Sequence, residues 1–234
     1  MQDLDSRLDR LAHRRRTLPE LAELAEVQKS REEAASRVVV SQTEVDDLGR
    51  EQRKADADVE QVKTRRERDQ HRLDRGQVGS PKELQTLQHE IETLKRRISD
   101  LEDAELDVME RLEAAQTELE RLQGSISEYD ESLRGLEERR DATMTEIDAE
   151  VREAETERAQ LVAGIPDDLL KLYERLRGSH GGVGAAALKQ RRCQGCQLEL
   201  NAADLREIAA APEDEVLRCE ECQRILVRTA ESGI

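Results

Sequence analysis

A seven-residue repeat runs through the middle of this chain with few faults. From Leu84 the apolar residues step by three and four: Leu87, Ile91, Leu94, Ile98, Leu101, and onward to Leu161. Of the 23 seam positions between Leu84 and Leu161, only Glu105, Arg140, Thr143 and Arg158 are neither apolar nor Tyr. The threes and fours alternate strictly to Ile147, where a second four slips the phase by one. A heptad pattern sustained this long predicts a left-handed coiled coil. Composition supports a helical rather than globular body. The chain is 39% charged and 1% aromatic, with no Trp or Phe, so it lacks the bulky side chains that fill a large core.

A weaker series precedes the strong one: Val38, Gln42, Val45, Leu48, Gln52, Ala55, Val59, Val62, Arg66, Asp69, Leu73. This helix needs a stronger partner, and the second helix, folded back, supplies it. Gly76-Gln77-Val78-Gly79 interrupts the pattern. Ser80-Pro81-Lys82-Glu83 restarts it as a capping box, with Ser80 as N-cap, Pro81 at N1 and Glu83 at N3. So short a break predicts an antiparallel hairpin, each arm on the order of 100 Å at about 1.5 Å per residue. Pro19 falls where Leu4, Leu8, Leu11, Arg15 and Leu18 give way to Leu21, Leu24 and Gln28 one residue early, so a kink or break is expected there. Pairing Leu73 with Leu84 sets facing residues at numbers that add to about 157 and brings Gln52 opposite Glu105. That polar layer is either a tolerated defect or a device that pins the register.

All four cysteines lie in the last 42 residues. Cys193 and Cys196 form one C-x-x-C pair and Cys219 and Cys222 another, with 22 residues between the pairs. Two such knuckles are the spacing of a four-cysteine zinc ribbon. A rubredoxin-like iron site shares that spacing. A redox C-x-x-C needs a βαβ setting that the sequence lacks, and His13, His71, His89 and His180 form no ligand cluster. Gly195 is read as serving an unusual backbone angle or a close approach to sulfur. Asn201 is expected to cap a short helix through Ile208. Glu215–Arg218 and Arg224–Arg228 read as a β-hairpin around the second knuckle. Upstream, Gly164-Ile165-Pro166 ends the second arm, and an amphipathic helix follows from Asp167 to Arg177 with Gly178 as its C-cap.

Charge is uneven. The net charge is −16, but residues 60–97, around the hairpin tip at 76–81, carry 10 basic and 7 acidic side chains. Residues 98–177 carry 10 basic and 24 acidic. Arg65, Arg68, Arg72, Arg75 and Lys82 therefore make a basic tip, read either as a solvated coiled-coil face or as a docking surface for a protein partner. In the ribbon, Arg191, Arg192, Arg218, Arg224 and Arg228 are the candidate nucleic-acid contacts. Against that use, residues 178–234 have 7 basic and 9 acidic side chains and no aromatic for base stacking. The opening MQDLDSRLDRL has no apolar core, so no leader is expected. No run approaches a membrane span, and reduced paired cysteines suit a cytoplasmic protein.

The segments IPDDLLKLYERLRG, CQGC and RCEECQRILVR, behind an arm that opens SPKELQTLQHEIETLKRRISDLE, resemble the bacterial four-cysteine zinc-ribbon proteins with an N-terminal coiled-coil hairpin. That family was long catalogued as a domain of unknown function. The resemblance covers essentially the whole chain. It implies structural zinc at Cys193, Cys196, Cys219 and Cys222, no catalytic residues, and an adaptor- or chaperone-like role, with nucleic-acid binding proposed for the ribbon. This chain departs from the family pattern at Gln223, where a second knuckle often carries Gly, and at the alanines of 185–187.

The expected architecture is mainly α. A long antiparallel coiled-coil hairpin spans 1–163, with its break near 19. A linker helix and a small four-cysteine zinc ribbon of short β-hairpins span 164–234. The expected function is that of a non-enzymatic adaptor that binds protein partners, with nucleic-acid binding by the ribbon as the alternative. No small-molecule substrate and no membrane partner are expected.

Overall fold

The computed structural model describes every residue from Met1 to Ile234. The chain forms helices α1 (Gln2–Arg16), α2 (Pro19–Asp74), α3 (Pro81–Val162), α4 (Asp167–Ser179) and α5 (Ala202–Ala210), with strands β1 (Ala185–Lys189), β2 (Arg192–Cys193) and β3 (Ile225–Val227). No helix is long and apolar enough to cross a membrane. Contacts divide the chain into two compact units, one of Met1–Ala22 with Glu137–Ile234, the other of Glu23–Leu136.

Pro19 breaks the first arm into two helices. It takes the first position of α2, where its missing N–H costs nothing, and Thr17 closes α1 with its N–H on His13 and Arg14 carbonyls.

In the unit of Glu23–Leu136, α2 and α3 run antiparallel. Their seams meet in a row of apolar residues that includes Leu48, Val59, Leu87, Ile91, Leu94, Ile98 and Leu122, all buried. Ion pairs flank the seam: Arg31–Asp130 at 2.5 Å, Arg37–Glu118 at 3.0 Å and Lys63–Glu102 at 2.8 Å. Arg31 and Arg37 hold Asp130 and Glu118 below the usual carboxylate range; for Glu118 its helical neighbour Arg121 is the larger influence. The strong arm keeps the expected seam, but the weak arm departs from it. Ser41, not Gln42, is buried against α3, and its hydroxyl has no hydrogen-bond partner. A small side chain fits where an amide would have to be desolvated.

Gln52 and Glu105 are both half-buried on their seams, and Glu105 also interacts with Asp56 of the facing arm. The facing numbers in this unit run from 155 at Arg72–Glu83 to 165 at Lys63–Glu102, because charge pairs on the flanks reach up and down the helix. The hydrogen bond with Asp56, and desolvation after it, hold Glu105 above its ordinary value of 4.5. Protonation of Glu105 therefore stabilises the folded arm. That contribution is complete below the unfolded value and lost as pH rises through the folded one. Glu105→Gln keeps a neutral donor at every pH. The variant should melt above the wild type at pH 7 and converge with it as pH falls to about 4. Thermal melts across that range check this; a constant gap would show that the carboxyl pair is not responsible.

In the other unit, Leu11 of α1 and Leu18 of the turn after it pack on Ile147 in the C-terminal part of α3, with Met144 and Val151 beside them. Arg7–Glu153 at 2.9 Å and Arg15–Asp148 at 3.0 Å flank this contact. Asp5, on the inner face of α1, is 1% exposed. Arg158 Nε donates to it at 2.6 Å and the Tyr173 hydroxyl donates at 2.6 Å. One turn earlier, Gln2 donates to the Gly182 carbonyl and accepts from the N–H groups of Gly184 and Ala185. The first turn of α1 is thus tied to α3, to α4 and to the lead-in of β1.

The end of α4 corrects one expectation. Gly178 lies inside the helix, which runs on to Ser179 with His180 as C-cap. The left-handed residue is Gly181, at φ +63°, and Gly182 N–H bonds the Arg177 carbonyl at 3.0 Å. That is a Schellman closure two residues beyond the expected stop. Tyr173→Phe removes one donor from the buried Asp5 carboxylate and should cost about 1–3 kcal/mol. Denaturant unfolding of the full chain measures this loss.

Candidate metal centre

The ribbon is built from two copies of one backbone device. In the first knuckle, Cys193 N–H bonds the Leu198 carbonyl and Gln197 N–H bonds the Cys193 carbonyl. In the second, Cys219 N–H bonds the Arg224 carbonyl and Gln223 N–H bonds the Cys219 carbonyl. Each knuckle ends on a glutamine in the left-handed region, Gln197 at φ 64° and Gln223 at φ 62°. Each glutamine offsets part of that strain by donating its side-chain amide back into the turn, to Gln194 O at 2.8 Å and Glu220 O at 3.0 Å. The departure from Gly at 223 is therefore shared by both knuckles and compensated in the same way.

A three-stranded sheet of order β2-β1-β3 holds the knuckles together. β1 pairs antiparallel with β2, Leu188 opposite Cys193, and parallel with β3, Ala186 opposite Leu226. The expected hairpin at 215–228 is reduced to one antiparallel bridge, Arg218 to Ile225. The main partner of β3 is instead the alanine-rich β1, far off in sequence. Asn201 caps α5 as expected, accepting from Ala203 and Asp204 N–H at 2.9 Å each. Gly195 has no unusual φ. Its role is close approach: a Cβ there would stand 2.7 Å from Arg224 Cδ and 3.0 Å from Ala186 Cβ.

These elements bring the four sulfurs within 4.8 Å of one another. Cys193 and Cys222 stand 3.9 Å apart, as do Cys196 and Cys219. Two sulfurs about 2.3 Å from one zinc ion, in a tetrahedron, stand about 3.8 Å apart. The donor set and its spacing fit zinc. Cys193 and Cys219 are fully buried and belong to a core that includes Leu188, Leu200, Leu205, Ile208 and Leu226. Burial pushes both thiols up, Cys219 to about 12. Burial also pushes Cys222 up, but hydrogen bonds from the Arg224 main chain and side chain outweigh it and bring that thiol to about 7. A divalent cation held there would stabilise all four as thiolates and add folding energy to a small module. No catalytic step is assigned to it.

The other residues singled out from the sequence have separate fates. Arg224 Nε donates to the Val183 carbonyl at 2.9 Å. Arg228 donates to the carbonyls of Ile208, Ala211 and Pro212 at the end of α5. Arg218 Nε donates to the Gln223 carbonyl at 3.0 Å. Only Arg191 and Arg192 keep exposed side chains without such bonds, and Arg192 lies 3.7 Å from Glu199. At the tip, Arg65 pairs with Glu90, Arg72 lies 3.5 Å from Glu83, and Arg68 lies 3.8 Å from the buried Asp69. Arg75 and Lys82 stay exposed. Sequence reasoning missed Asp5 and Gln2. Their only signal was a polar pair beside the seam in the first turn of a helix.

An antiparallel coiled-coil hairpin that leads into a four-sulfur ribbon defines a hairpin zinc-ribbon protein. Residues 1–181 match the CT398-like coiled coil hairpin domain and residues 192–226 the C4-type zinc ribbon domain. The chain belongs to the CT398-like coiled-coil hairpin family. It is 35% identical over 225 residues to the uncharacterized protein Rv2229c of Mycobacterium tuberculosis, covering 96% of this chain and 91% of that one. It is 30% identical over 221 residues to ML1638 of Mycobacterium leprae, covering 94% of each. A solved structure from Mycobacterium smegmatis matches with a TM-score of 0.81 at 34% identity, over 97% of this chain and 94% of that one. CT398 from Chlamydia trachomatis matches over the same shares with a TM-score of 0.67 at 22% identity, which shows the shared fold.

Removal of the metal should unfold the ribbon and leave the long helices in place. The metal contributes on the order of 10–16 kcal/mol in small zinc peptides. Chelation, or Cys219→Ser with Cys222→Ser, should abolish dispersed amide signals from 185–228 while most of the helical circular dichroism is kept. Ribbon signals that persist without metal would refute the structural role.

Proposed function

We propose that this protein is a non-enzymatic adaptor of the cytoplasm whose ribbon and hairpin present surfaces to protein partners. The observation that carries this reading is the distribution of side chains on the ribbon. Leu198, Val216, Val227 and Ile234 are all exposed, whereas Arg224 and Arg228 turn inward onto main-chain carbonyls. Exposed aliphatic groups favour protein contact over phosphate contact. The metal site supports the same reading, because four cysteine ligands fill a tetrahedral shell and leave no open position for chemistry.

Nucleic-acid binding by the ribbon is the weaker alternative. It depends on Arg191 and Arg192, with three of the five arginines engaged in internal bonds. The hairpin tip keeps a place in the adaptor reading through Arg75 and Lys82, since Arg65 and Arg72 lie beside carboxylates of the facing arm and Arg68 beside Asp69 of its own.

Crosslinked pull-down with the zinc-loaded full chain tests this reading. Protein capture should be lost in the Cys219→Ser/Cys222→Ser variant, reduced by Arg75→Glu/Lys82→Glu, and indifferent to Arg191→Glu/Arg192→Glu. Salt-dependent RNA or DNA binding that disappears in the Arg191→Glu/Arg192→Glu variant would reverse the order of the two readings.

A further inference from the structure

The turn between β1 and β2 is built from residues that resist its backbone. Lys189 stands opposite Arg192, so Gln190 and Arg191 are the central pair of a two-residue hairpin. Both lie in the left-handed region, at φ 46° and 66°. Two successive positive φ angles are the pattern of a type I′ turn, which favours Asn-Gly because few other side chains tolerate that backbone. In the knuckles, Gln197 and Gln223 offset the same strain with side-chain amide bonds of their own. The side chains of Gln190 and Arg191 make no such bond.

A segment far along the chain holds the turn instead. Gln190 N–H bonds the Glu231 carbonyl at 2.7 Å, and Arg191 N–H bonds the Ser232 carbonyl at 2.8 Å. The Thr229 and Ser232 hydroxyls both donate to the Leu188 carbonyl, at 3.1 and 3.0 Å. The segment is also closed on itself. Thr229 N–H bonds Ser232 Oγ at 2.8 Å, and Ser232 N–H bonds the Thr229 carbonyl at 3.1 Å. Ser232 is buried, although it is a small polar residue. Lys189 pairs with Glu231 at 2.6 Å, a solvated contact that adds little.

These bonds converge on the hairpin that carries one of the sulfurs. Leu188 faces Cys193 in the β1–β2 register, and Cys193 directly follows Arg192. The segment itself leaves β3, the strand after the second knuckle, by way of Arg228. It therefore ties the second half of the ribbon to the first through protein bonds alone. Without it, the Gln190 and Arg191 N–H groups lose their partners and nothing compensates the turn backbone. We propose that residues 229–232 are a strap that sets how fast the ribbon gives up its metal. While the strap is seated, the hairpin holds Cys193 in the cluster. When it lifts, the turn relaxes and Cys193 is the first sulfur to leave, with Cys219 and Cys222 kept on their own knuckle. Ser232 controls the strap, because its hydroxyl bonds both the strap backbone and the hairpin. This goes beyond the adaptor reading and does not depend on it.

The test is the rate at which the zinc-loaded full chain passes its metal to a chromogenic chelator, at chelator concentrations where the rate no longer rises. Amide hydrogen exchange of the ribbon is read alongside. Ser232→Ala removes both bonds of the hydroxyl and should speed transfer by about tenfold or more. Exchange should quicken at the N–H groups of Gln190, Arg191, Cys193 and Gln197 and stay unchanged at those of Cys219 and Gln223. Adding Gln190→Asn/Arg191→Gly supplies the residues that the turn backbone favours, and should return the rate to within about threefold of wild type. Equal rates in wild type and Ser232→Ala would overturn the strap. So would exchange that quickens alike in both knuckles, or a Ser232→Ala defect that Gln190→Asn/Arg191→Gly leaves in place. If Ser232→Ala holds no zinc at all, the same pair of turn substitutions decides: zinc binding returns if the strap acts through the turn, and its continued absence refutes the proposal.

Discussion

The Asp5 carboxylate is the point on which one unit of this protein turns. A buried carboxylate is costly unless charge and hydrogen bonds surround it. Here Arg158 from α3 and the Tyr173 hydroxyl from α4 supply both. Tyr173 is one of only two aromatic residues in the chain, and its hydroxyl pKa is raised, by burial first and by the bond to Asp5 second. Gln2, three residues before Asp5, reaches the backbone just ahead of β1. A short helix that would be marginal alone is thereby tied to the end of a long one and to the sheet that carries Cys193. With so few large apolar groups available, polar bonds position elements that a larger core would otherwise pack.

The ribbon shows the same economy in another form. Its core of small aliphatic residues includes two of its own metal ligands, so metal binding and core formation are one event. Three of the five candidate arginines, Arg218, Arg224 and Arg228, satisfy carbonyls that the loops leave open. Arg224 bonds the Val183 carbonyl and also lowers the Cys222 thiol pKa. Arg228 closes the end of α5. Exposed aliphatic and acidic side chains remain on the ribbon surface beside Arg191, Arg192 and Arg206.

The long arms obey a simpler rule. The apolar seam sets which faces meet, and flanking charges adjust how far one arm slides along the other. A one-residue choice such as Ser41 over Gln42 depends on which side chain is cheaper to desolvate against α3. The Asp56–Glu105 pair places two acids in contact, a cost that apolar layers on either side absorb.

Much of the fold was legible in the residues alone. The heptad seam, the break at Pro19, the capping box at Ser80, the Asn201 cap and the two C-x-x-C knuckles all depend on interactions within a few turns or residues. Sequence spacing encodes these directly. The four-sulfur cluster follows from the same local logic, since each knuckle aims two sulfurs by itself. Only the tertiary structure decided the rest. The parallel pairing of β1 with β3 joins segments about forty residues apart. The inward turn of the ribbon arginines and the Asp5 cluster each bring together groups whose separation along the chain carries no periodic signal. Long-range hydrogen bonds and charge pairs are set by where packed elements end, and no local pattern of residues records that.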